Sequence, residues 1–228
     1  SLEDLDEAWV YSLRKRYLPD IAASDPPSQM ATARTETGFN IKPEVVTATG
    51  DSLDFVYFTN FQGYTQIMRQ RAGREPELVV EGERLPVFES LHPLSTRPAV
   101  SADGMLLAFA AKSRGRDHLY VWDLAKKKLH RTLSFEKVIA ISTPSFSPDG
   151  RRIAFSGAQQ SGLTDLYIAD LESGALTALT SDLYHDRDPD WSPDGARIVF
   201  SSDRFAAGRE GRYNLFLYEM ASGRISQL

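Results

Sequence analysis

An all-β β-propeller built from four-stranded antiparallel blades, preceded by one α-helix, is the fold class this sequence predicts. Three observations lead to it. A segment ending in Asp-Gly recurs at about 45-residue spacing, with its glycine at Gly104, Gly150 and Gly195. Each recurrence opens the same succession of short strands with alternating apolar residues. The 228 residues contain 15 Gly, 12 Pro, 12 Phe, 9 Tyr and 3 Trp, which suits many short strands joined by turns.

The composition also excludes several classes. With 42% hydrophobic and 25% charged residues the chain is a folded one, and with no cysteine it has neither disulfides nor thiolate metal sites. Lys plus Arg number 26 against 31 Asp plus Glu, a net charge of −5 that argues against wrapping nucleic acid or lying on anionic lipid. The longest apolar runs, 105–111 and 138–141, fall far short of the roughly 18 residues of a spanning helix, so the chain is not itself membrane-spanning. Residues 1–6 carry three acids and no basic start, unlike a targeting segment, and no initiator Met is present. A piece of something longer is expected.

From the N-terminus, residues 1–24 are expected to form an amphipathic helix and linker. Leu2, Leu5, Trp9, Leu13 and Tyr17 recur at three- and four-residue steps over 1–18, Ser1 with Asp4 suits a start cap, and Pro19 ends the helix. This stripe is expected to pack on its own domain, with partner binding as the alternative. Residues 25–42 read as a linker that contains an orphan outer strand over 29–37.

The blades follow over 43–228, at 43–85, 97–134, 143–180 and 187–228. Blade three reads Thr143-Pro-Ser-Phe-Ser-Pro-Asp-Gly150, then Arg152-Ile-Ala-Phe155, then Leu166-Tyr-Ile-Ala-Asp-Leu171, then a short closing strand. Blade four repeats it from Asp188 to Gly195 and onward, and blade two has Ala102 in place of the proline. Blade one, starting at Pro43-Glu-Val-Val46, has lost the Pro-Asp-Gly. The turns at Pro148, Asp149, Gly150 and at Pro193, Asp194, Gly195, with Asp103 and Gly104, are structural: proline presets φ, aspartate bonds nearby amides, and glycine accepts positive φ. A four-stranded sheet cannot bury both faces alone, so the units must stack on one another, as blades do.

The order Ser-Pro-Asp-Gly, Ile-Ala-Phe, Leu-Tyr-Ile-Ala-Asp-Leu, Ser-Gly, Leu-Thr over 147–180 resembles the PD40, WD40-like repeat of TolB-type propellers. The resemblance covers about 43–228. It implies a larger ring of six blades, so more blades or a covering partner are expected beyond the four visible here.

In a propeller the residues just before each innermost strand rim a central channel. That places His185, Asp186, Arg187 and Asp188 of blade four beside Ser142 and Thr143 of blade three, Thr96 and Arg97 of blade two, and Lys42 of blade one. These are the candidate binding residues, weighed against a purely inter-blade role. Asp186 and Asp188 could hold a hard cation only weakly, and no metal or cofactor is expected. No catalytic motif is present, and His92, His118, His130 and His185 lack metal-ligand spacing. Catalysis is therefore not expected in this chain.

The resemblance implies a non-enzymatic scaffold holding a partner protein or complex subunit, in the periplasm or at the bacterial cell envelope, with cytoplasm left open. Contact through the N-terminal helix or an open blade edge is a further possibility. The alternative is a gating propeller of a larger hydrolase, prolyl-oligopeptidase-like or metallopeptidase, whose catalytic domain lies outside these residues.

Overall fold

The computed structural model describes residues 2–23, 33–35, 38–49, 52–204 and 213–228. The chain divides into two compact units, Ser1–Thr37 and Gly38–Leu228.

The first unit holds α1 (Leu2–Ala23), which runs through Pro19 instead of ending at it. Proline's fixed φ is itself helical and its missing N–H removes one hydrogen bond, so a helix can pass through it at a cost. Within this unit Leu5, Trp9, Leu13 and Tyr17 are all exposed. The expected cap at Ser1 and the strand over 29–37 lie outside the described residues, apart from 33–35, which form no strand.

The second unit is four antiparallel sheets in chain order. Blade one comprises β1 (Asn40–Thr49), β2 (Ser52–Thr59), β3 (Gln66–Gln70) and β4 (Glu77–Val80). In blade two the inner strand is split into β5 (Ser90–Leu91) and β6 (Ala99–Val100), both paired with β7 (Leu106–Ser113), followed by β8 (Arg116–Asp123) and β9 (Lys128–Leu133). Blade three is β10 (Ala140–Phe146), β11 (Arg152–Ala158), β12 (Thr164–Asp170) and β13 (Leu176–Ala178). Blade four is β14 (Asp186–Trp191), β15 (Arg197–Ser202), β16 (Asn214–Glu219) and β17 (Ile225–Gln227).

Every inner strand therefore starts before the sequence boundaries at 43, 97, 143 and 187. In blades one, three and four the reason is a bulge: registers break between Ile41 and Glu44, Ser142 and Ser145, and Arg187 and Asp190, so pairing resumes on the far side of each X-Pro step, whereas in blade two the inner strand is split into β5 and β6.

The three Asp-Gly turns have one geometry. Gly104, Gly150 and Gly195 all sit at φ 69°, where only glycine is unstrained. Ser101, Ser147 and Ser192 each donate a hydroxyl hydrogen bond to the turn aspartate two residues on, and each accepts the amide of the residue five on at 2.9 Å. These bonds hold Asp103, Asp149 and Asp194 below the ordinary carboxylate range.

The core is divided among the blade junctions. Val56, Phe58 and Ile67 of blade one meet Leu107, Phe109 and Trp122 of blade two. Ala108, Ala110 and Leu119 on the opposite face of blade two meet Ile153, Phe155 and Tyr167 of blade three. Between blades three and four lie Ala154 and Ile168 with Trp191 and Ile198, and Leu166 with Phe200 and Phe216. Alternation along β7 and β11 thus fills two junctions with one strand.

Candidate functional site

The inner strands run from one end of the unit, where the inter-blade connections lie, toward the Asp-Gly turns at the other. Near their starts each carries an X-Pro pair: Lys42-Pro43, Arg97-Pro98, Thr143-Pro144 and Asp188-Pro189. Three of the four X residues are left-handed, Lys42 at φ 53°, Thr143 at 47° and Asp188 at 54°. That region is costly for any non-glycine residue and most costly for a β-branched one, so the surroundings must hold it.

Hydroxyl groups of the preceding blade do the holding. Thr96 Oγ1 in blade two accepts the Thr143 amide at 3.1 Å, and Ser156 Oγ in blade three accepts the Asp188 amide at 3.0 Å. Thr143 Oγ1 and Ser156 Oγ lie 3.2 Å apart and join the two clasps. Ser201 extends the series in blade four, donating to Asp188 Oδ2 at 3.4 Å and to the Arg187 carbonyl at 3.2 Å. A second tier lies one step past the prolines, where Ser145 donates to Asp190 Oδ1 at 2.7 Å. Glu44 occupies the same step in blade one and accepts the Val100 amide. Burial, reinforced by Asp190, pushes its carboxyl upward against the opposing pull of Arg97.

In blade two the inner strand leaves the sheet between β5 and β6. The amides of Ser95 and Thr96 both bond the His92 carbonyl at 3.1 Å, folding this excursion into a turn. His92 Nε2 lies 3.2 Å from Asp117 Oδ1, and the other Asp117 oxygen accepts the Ile141 amide at 2.9 Å.

Together the four strand starts enclose a cavity of about 490 Å³. Its lining brings together five of the expected rim residues: Lys42, Ser142, Thr143, Arg187 and Asp188. Leu94, Ser95, Asp117 and Thr164 also line it. Leu94 and Ser95 belong to the blade-two excursion, which has no counterpart in the repeat and so no sequence signal. Glu44 and Asp190 had a signal in the recurrent X-Pro-X frame.

The remaining expected rim residues lie elsewhere. Thr96 is 1% exposed and serves as a clasp. Arg97 faces Glu44. Asp186 is fully buried and forms an ion pair with Arg204 at 2.5 Å, and His185 donates its backbone amide to Asp203 at 2.7 Å. Asp186 is therefore placed in the sheet opposite Ser202, and Arg187 and Asp188, where the bulge begins, line the cavity instead.

The pairing of Asp186 with Asp188 for a cation is not formed either. Asp186 groups instead with Asp165 and Asp182, whose ligand atoms lie within 4.8 Å of one another. Arg204 spans Asp186 and Asp182 there while lying over the rings of Tyr184, Phe200 and Phe216. Burial, then the neighbouring Asp182 and Asp186, pushes the Asp165 carboxyl upward.

The comparisons with known proteins fall on this architecture. The sequence profile of the PD40 family, described as the TolB beta propeller domain, matches residues 77–228. A Tol-Pal system protein TolB of Francisella tularensis is 32% identical over 116 residues, 48% of this chain and 26% of the relative. The chain thus spans about a quarter of that relative's length. Among solved structures, TolB from Acinetobacter baumannii superposes with TM-score 0.65 at 19% identity, over 84% of this chain and 43% of that one. A prolyl endopeptidase superposes with TM-score 0.58 at 15% identity, over 97% of this chain and 34% of that one. Identities this low carry the fold and not the chemistry.

Proposed function

Because the chain belongs to the PD40 family of TolB β-propeller domains, we propose that it is a non-enzymatic binding module that holds another protein at the mouth of its channel. The observation behind this reading is the cavity to which all four blades contribute, with three left-handed residues on its wall. The curated relatives carry the name Tol-Pal system protein, which supports a place in a bacterial envelope assembly and a periplasmic location. Among the described residues no helix is long and apolar enough to cross a membrane.

A photo-crosslinking side chain at Leu94, on the mouth, is expected to give a partner adduct in envelope extract of the source organism. The same group at Met105, beside an Asp-Gly turn at the opposite end, is expected to give none. The Leu94 adduct should weaken with Arg187→Ala/Asp188→Ala. Equal adducts from both positions, indifferent to that pair, would sink the reading.

A second reading is a gating propeller attached to a hydrolase, favoured by the peptidase superposition over nearly the whole chain. The parent reading frame tests it. A Gly-x-Ser-x-Gly or His-Glu-x-x-His segment in a flanking domain would replace the first reading with this one.

A further inference from the structure

The charges in the mouth are not equivalent. Both acids are occupied: Asp117 by His92 and by the Ile141 amide, and Asp188 by the Ser201 hydroxyl. Both cations are open. Lys42 is exposed and has no hydrogen bond or ion pair to another described residue. Arg187 is exposed, its guanidinium carbon lies 5.3 Å from the centre of the Tyr213 ring, and its N–H groups bond no described residue. On a chain of net charge −5, two cations from opposite ends of the blade series line one cavity with Asp117 and Asp188, and neither cation forms an ion pair with a described residue.

The backbone explains why they remain open. Lys42 is left-handed and unpaired between Ile41 and Glu44, and Arg187 pairs with Ser201, so neither has an acid opposite it in its sheet. The Ser95, Ser142 and Thr164 hydroxyls between them can bond a ligand's polar backbone.

We propose that the segment held in the mouth is an acidic stretch of polypeptide, whose carboxylates pair with Lys42 and Arg187 while its backbone meets the intervening hydroxyls. This rests on the channel-binding reading above and specifies its ligand. The carboxylate source is a side chain of a polypeptide, whose backbone can bond the Ser142 and Thr164 hydroxyls on the cavity wall.

The test uses the ¹⁵N-labelled chain and three synthetic peptides: acetyl-Gly-Asp-Glu-Asp-Gly-amide, its Asn-Gln-Asn analogue and a Lys-Lys-Lys analogue. Amide shifts near Lys42, Ser142 and Arg187 should saturate with the acidic peptide at about tenfold lower concentration than with the neutral one, and the advantage should shrink with added salt. Lys42→Gln/Arg187→Gln should erase that advantage, and Lys42→Arg/Arg187→Lys should keep it. Both positions are exposed, so folding is preserved in either pair. If the neutral peptide shifts the same amides equally well, the charge assignment is overturned and the channel reading survives. If none of the peptides shifts these amides, the assignment is overturned, and the crosslinking experiment decides the channel reading on its own.

Discussion

Asp165 shows how one carboxyl records its surroundings. It accepts the Gln159 amide at 3.2 Å and the Thr180 hydroxyl at 3.5 Å, yet burial and two neighbouring aspartates raise its proton affinity in the fold. A carboxyl raised on folding adds stability at low pH, and that contribution is lost as pH rises through the folded value. At neutral pH its charge is therefore a cost. Asp165→Asn removes the charge, keeps one of the two accepting oxygens and turns the other into an N–H donor beside the Asp182 and Asp186 carboxylates, the latter with a buried oxygen that lacks a hydrogen-bond partner. We expect the variant to be about 1 kcal/mol more stable at pH 7, with the gain shrinking as pH falls and the wild-type carboxyl protonates. Urea midpoints at pH 7 and pH 4 check this, and a lower midpoint at pH 7 would contradict it. The turn aspartates have the opposite sign: their depressed carboxyls stabilise at neutral pH and lose that effect as pH falls through the folded values.

At the scale of the element, the same residue type in equivalent strands meets different fates. Leu119 in β8 and Leu166 in β12 are fully buried, whereas Leu215, at the same step of β16, is 56% exposed. The first two face a following blade and the third does not. Leu119→Ala and Leu166→Ala should each cost about 2–5 kcal/mol, and Leu215→Ala less than about 0.5 kcal/mol. Chemical denaturation of the three variants decides it; equal losses would mean that the third face is covered as well. The repeat made the equivalence of these leucines legible in the sequence. It could not show which copy is covered, because burial depends on what stacks against a strand and not on the strand's own residues.

For the whole molecule, each blade packs on the next, so blades two and three are covered on both faces. Leu107 and Phe109 of β7 face blade one while Ala108 and Ala110 face blade three, all fully buried. Amide hydrogen exchange should therefore be slowest in β7, β8, β11 and β12, and faster in β16 and β17. Uniform protection across all four blades would show instead that the unit opens only as a whole.

The blades, their order and their Asp-Gly turns were written in the sequence, because those features follow from local φ preferences and two-residue alternation repeated at a fixed period. The helix was legible as an element, but neither its passage through Pro19 nor the exposure of its Trp9 stripe was. The channel residues were only half legible. Sequence position put Asp186 and Asp188 side by side, yet the bulge sends Asp188 to the mouth and leaves Asp186 buried against Arg204. The tertiary structure also brought in Leu94 and Asp117, and it left Lys42 and Arg187 without an ion pair to any described residue. Which charges find a partner depends on groups far apart in the chain meeting across a ring, and spacing along one strand does not encode that.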